Sequence, residues 1–157
     1  MDDLGAQPAA STNAAVVTRF IDEVINGGNL DLIDALWHED LVWEGGSLGE
    51  RHGIEAYKKM MGATGGGSRW ANLHLTVHNI FAQDDTVVVQ FTNSGYRTGR
   101  LLGVVPFRSK RGSWNGVGIY TLRGGKIVHA WFVEDVVAML RSLGGPGALD
   151  LITSSGK

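Results

Sequence analysis

The chain has 157 residues, among them 23 glycines, five tryptophans and no cysteine, and a formal net charge of -2. That length suits one domain, and the missing cysteine excludes disulfides, thiolate-bound zinc and thiol nucleophiles. The near-balanced charge has no basic block to recruit nucleic acid, and no apolar run is long enough to span a bilayer.

Residues 1–10 read as a loose tail, acidic at the start and without the charged-then-apolar pattern of a signal peptide, so the expected compartment is the cytoplasm. Ser11, Thr12 and Asn13 offer N-caps for a helix with Val16, Val17, Phe20, Ile21, Val24 and Ile25 at helical spacing. Asn26-Gly27-Gly28 ends it, glycine being free to take the left-handed cap conformation. Asn29 caps a second helix carrying Leu30, Ile33, Leu36 and Trp37 on one side. Leu41-Val42-Trp43 is a short strand, and Gly53 to Met61 a third helix.

The glycine-rich stretch from Gly62 to Ser68 breaks the chain, and the period then changes to two. Leu73, Leu75 and Val77 alternate with His74, Thr76 and His78. Spacing of four between His74 and His78 would suggest a metal pair only on a helix, so no metal site is expected. Long strands follow over Thr86 to Tyr96 and Arg111 to Leu122. Gly124-Gly125 turns into the apolar run from Lys126 to Val133, which ends on Glu134-Asp135. A short helix to Leu143 and a tail over 146–157 complete a single domain, 11–145. Helices followed by strands in hairpin succession predict an α+β fold. The expected form is a cone-shaped, curved antiparallel sheet with three helices on one face, enclosing an apolar pocket for a small molecule.

Several segments together resemble the SnoaL-like polyketide cyclase family. They are the helix ending in Asn26-Gly27-Gly28-Asn29, Leu36-Trp37-His38-Glu39-Asp40, the strand Gly95 to Gly103, Pro106, and Gly125-Lys126-Ile127 through Gly144. The resemblance covers roughly residues 13 to 145 and implies the nuclear-transport-factor-2-like cone fold, a homodimer or higher homo-oligomer, and a hydrophobic small-molecule substrate. No cofactor is expected. In the cyclases an Asp on the last strand does acid–base work, with a His two residues before it. The matching positions here are Phe132 and Ala130, and Arg97 stands where the family commonly has His. These departures point to a different catalytic set.

Strand alternation puts Val128, Ala130, Phe132 and Glu134 on one face. If that face looks into the cone, as the resemblance implies, Glu134 is its one ionisable group, suited to giving or taking a proton. Arg97 or Tyr96 would hold a substrate oxygen or pair with Glu134, and His38 is the histidine candidate near the pocket mouth. Trp37, Trp43, Tyr57, Phe107 and Phe132 would meet the substrate. Asp135 would either join them or cap the last helix. Gly116 and Gly118 would widen the cavity or bend the sheet. The expected function is a cofactor-free cyclase of secondary metabolism, with epoxide opening by an internal hydroxyl as one form. The alternatives are a non-catalytic binding protein, or a dehydratase, isomerase or epoxide hydrolase.

Overall fold

The computed structural model describes residues 6–46, 49–66, 68, 72–101 and 105–144, with the backbone alone for 6–9, 96–101, 105–110 and 144. The expected tail over 146–157 lies outside the described residues. Helix α1 (Ala6–Arg19) begins inside the segment expected to be loose. Ala9 and Ala10 favour helix, and Pro8 falls in the first turn, where its missing N–H costs nothing. The helix widens into a π-helical stretch, Phe20–Asn26, that buries Phe20, Ile21, Val24 and Ile25. A 3-10 turn (Leu30–Leu32) and the short α2 (Ile33–Leu36) follow.

The second helix stops one residue earlier than expected, because Trp37 opens strand β1 (Trp37–Glu44). Trp37, Leu41 and Trp43 are its buried residues. Strand β2 (Glu50–His52) and helix α3 (Ile54–Thr64) come next. Four long strands complete the sheet: β3 (His74–Gln83), β4 (Thr86–Leu101), β5 (Val105–Arg123) and β6 (Lys126–Glu134). β5 starts well before Arg111, where the sequence placed its beginning, so that Pro106 and Phe107 lie in strand paired to β4. Helix α4 (Val136–Gly144) ends the described chain.

The fold is α+β, a curved six-stranded sheet in the order β2-β1-β6-β5-β4-β3, with four helices. β3 to β6 pair antiparallel in succession, whereas β1 lies parallel to β6, with Trp43 beside Ala130. The β5–β6 turn uses Gly124 and Gly125 at φ 59° and 77°, the left-handed values that a two-residue hairpin turn of matching twist requires.

Alternation along the strands sorts the two faces. Val87, Val89, Phe91, Tyr120, Leu122, Ala130 and Phe132 are buried beneath the helices. Phe20 packs edge-on against Trp37 at 5.2 Å between ring centroids, and Tyr57 stacks on Trp37 at 4.4 Å. This aromatic apex closes the narrow end of the cone. Gly116 and Gly118 give up their side chains to neighbouring rings. A Cβ at Gly116 would sit 2.6 Å from Phe91, and one at Gly118 2.8 Å from Phe132. The room that their sequence positions imply is therefore filled by aromatic packing.

Candidate functional site

The open end of the cone holds a cavity of about 250 Å³ between sheet, α3 and α4. Trp43 and Phe132 face each other across 5.9 Å between centroids, and Tyr57 joins them in the lining. Met60 and Met61 come from α3, and Val136, Met139 and Leu143 from α4. Thioether side chains adapt to irregular ligand shapes, so much of the wall is apolar and deformable.

Three adjacent strands supply the polar part. Register sets Asn93 on β4 beside Trp114 on β5, and Glu134 on β6 beside Gly116. All three side chains fall on the inner face and line the cavity. The Asn93 Nδ2 donates to Glu134 Oε1 at 2.5 Å, and the Trp114 Nε1 donates to the same oxygen at 3.1 Å. No hydrogen bond among the described residues reaches Glu134 Oε2. Two N–H donors on one oxygen fix the carboxylate plane and leave the second oxygen for a ligand or a proton. Glu134 is the only charged side chain among the described lining residues.

Burial raises the Tyr57 phenol well above its ordinary value, with nearby Tyr120 adding to the effect. Tyr57 is therefore neutral at physiological pH, a hydrogen-bond donor or acceptor but not a phenolate base. Tyr120 lies fully buried below it, raised by burial first and by the charge of Glu134 second.

Several residues singled out by sequence sit elsewhere. His38 is on β1 and outside the cavity lining; its Nδ1 accepts the Asp40 backbone N–H at 3.1 Å. Trp37 is 1% exposed and stacks behind Tyr57, so it supports the wall without lining it. Asp135 is exposed and caps α4, its Oδ1 accepting the Ala138 N–H at 2.9 Å. Capping, not substrate contact, accounts for it. The backbones of Tyr96 and Arg97 lie on β4 and that of Phe107 on β5; their side chains lie outside the described residues. Asn93 and Trp114 were not foreseen. Their signal was parity: Asn93 continues the Val87, Val89, Phe91 series, and Trp114 shares parity with Gly116, Gly118 and Tyr120.

A family model described as the SnoaL-like domain matches residues 17–130. The chain belongs to the SnoaL-like family. Solved structures give the same fold. A SnoaL-like polyketide cyclase candidate from Jannaschia sp. CCS1 is 24% identical, with 88% of this chain and 96% of that one covered at a TM-score of 0.75. An epoxide hydrolase of the LEH-like type from M. tuberculosis is 16% identical, covering 93% and 96% at 0.69. A polyketide cyclase candidate from Streptomyces antibioticus is 20% identical, covering 83% and 96% at 0.66. No curated protein sequence matches the chain. Within this SnoaL-like fold, Ala130 and Phe132 occupy the positions where the family resemblance implies His and Asp; both are buried and apolar, and Phe132 lines the cavity. The carboxylate stands one inward step further along the strand, at Glu134.

Proposed function

We propose that this SnoaL-like protein is a cofactor-free enzyme of secondary metabolism that closes a ring on a hydrophobic, oxygenated intermediate by acid–base catalysis at Glu134. The observation that carries the reading is a carboxylate, the one charged group among the described residues of an apolar cavity, gripped at Oε1 and with no described partner at Oε2. In one concrete form, Oε2 takes the proton of a substrate hydroxyl while that oxygen attacks an epoxide carbon. The epoxide C–O bond breaks, and the resulting alkoxide recovers the proton from Glu134. The net change is an isomerisation with no outside reactant. Tyr57, held neutral by burial, is suited to donate a hydrogen bond to the alkoxide as charge develops. The apolar walls fold the substrate so that nucleophile and epoxide meet.

The test is turnover of a hydrophobic epoxy alcohol by wild type and Glu134→Gln. The expected loss in kcat is roughly 10²- to 10⁴-fold, the usual range for a removed proton-transfer group, with an unchanged melting temperature. Full turnover by the variant would refute the role of Glu134. Running the reaction in labelled water separates ring closure from epoxide hydrolysis, since only hydrolysis puts solvent oxygen into product. A ligand-binding protein without chemistry is the second reading, favoured by the apolar Ala130 and Phe132; it predicts binding without product.

Self-association is part of the proposal. The outer face of the sheet carries Val117, Trp131 and Val133 exposed and adjacent, with Val117 registered on Val133. An apolar patch of this kind marks a contact surface, and a second copy would cover it through a two-fold, self-complementary interface.

A further inference from the structure

Asn93 carries more than its bond to Glu134. Its side chain is 7% exposed and lines the cavity, yet its buried Oδ1 has no hydrogen-bond partner. The amide cannot rotate to relieve this, because Nδ2 is committed to Glu134 Oε1, and a flip would set two oxygens against each other. An unpartnered buried acceptor destabilises the folded chain, a cost that a ligand donor would remove.

The other polar groups of the wall lean the same way. The Trp114 N–H is spent on Glu134, and the Thr64 hydroxyl donates to the Met60 carbonyl. Among the described side chains the cavity thus holds two unpartnered acceptors, Glu134 Oε2 and Asn93 Oδ1, beside the second Nδ2 hydrogen of Asn93 and the Tyr57 hydroxyl, which can serve either way. A carboxylate ligand would meet Glu134 with like charge and, having no hydrogen to give, would leave Asn93 Oδ1 unpaired.

We propose that Asn93 is a specificity-determining residue. The cavity takes ligands whose polar end donates hydrogen bonds, a hydroxyl or N–H group, and rejects ligands with an anionic polar end. The proposal rests on the cavity being the ligand site, as in the reading above, and it places the donor beside the free oxygen of Glu134.

Binding of three bicyclic probes by isothermal titration tests it without any turnover: 2-naphthol, its methyl ether, and 2-naphthoate. Wild type should prefer naphthol over the ether by about tenfold, the ratio that one hydrogen bond of about 1.4 kcal/mol supplies, and should bind naphthoate more weakly than either. The preference for naphthol should persist in Glu134→Gln, where catalysis is already lost, and should fall to about one when Asn93→Leu is added. The inference is overturned if naphthoate binds wild type as tightly as naphthol, or if Asn93→Leu leaves the alcohol-to-ether ratio unchanged in the Glu134→Gln background. The latter would mean that a solvent molecule alone satisfies Oδ1. Either result leaves the catalytic role of Glu134 to be judged by its own turnover test.

Discussion

Tyr120 buries its hydroxyl completely and gives it no hydrogen bond. Its ring packs edge-on against Phe132 at 5.5 Å, so the ring does the structural work and the hydroxyl opposes it. Tyr120→Phe should therefore leave stability at pH 7 unchanged or raise it by up to about 1–3 kcal/mol, read from urea unfolding. The same residue sets an alkaline limit. The folded phenol is raised above its ordinary value of 10.0, so stability is fully present below about pH 10. Above that the unfolded chain releases a proton that the folded chain keeps, and stability falls as pH rises toward the folded value. Tyr57 contributes with the same sign. The Phe variant should show a shallower loss between pH 10 and 11. At this scale strand parity was enough for Glu134 and Phe132, whereas the same signal at Asn93 and Trp114 was not foreseen. Glu134, Phe132, Trp43 and Tyr57 all reach the cavity. Asp135 takes the cap that was one of its two expected roles, whereas His38 did not reach the cavity, because its position depends on a local backbone bond that no spacing encodes.

Among the elements, the π-helical stretch has a specific task at its last residue. Asn26 donates from Nδ2 to the Leu75 carbonyl at 2.9 Å and accepts the Leu75 N–H on Oδ1 at 2.7 Å. β3 is an edge strand, and this side-chain amide pairs with it much as another strand would, which covers part of an edge open to aggregation. Replacing Asn26 by Leu removes both bonds and leaves two partly buried backbone groups unpaired. The expected cost is about 2–3 kcal/mol, measured as a shift in the denaturant midpoint, together with faster amide exchange at Leu75. In sequence, Asn26 before two glycines reads only as a helix end. Its second use requires knowing that β3 passes alongside. The sequence showed β1 only over Leu41-Val42-Trp43 and did not show β2, for a related reason. β1 is fixed by its pairing with β6, a partner far along the chain, whereas the hairpins from β3 to β6 announce themselves locally through Asp84-Asp85 and Gly124-Gly125.

Over the whole molecule, the sheet has one face closed by helices and one open. The open face combines polar ties with apolar surface: His78 bonds Thr92 at 2.6 Å, and His129 bonds Glu44 at 2.6 Å beside Trp131, which is 40% exposed. If a second copy covers it, Trp131→Glu should convert the species seen by sedimentation to a monomer while leaving the cavity intact. An unchanged oligomeric state, or a wild type that is already monomeric, would remove the self-association proposal.

The parallel contact of β1 with β6 also dictates timing. Trp37 pairs with Ile127 and Trp43 with Ala130, so the early strand waits for nearly the last one before it has a neighbour on that side. Loop-closure entropy is spent before these contacts form, and such non-local pairing slows folding. During synthesis the β3–β4–β5 meander can assemble as it leaves the ribosome, while β1 lacks its parallel neighbour until β6 emerges. The strand that carries Glu134 is thus also the one that locks the first third of the chain in place. A nascent chain has no cavity of this form until that strand, and α4 directly after it, have arrived.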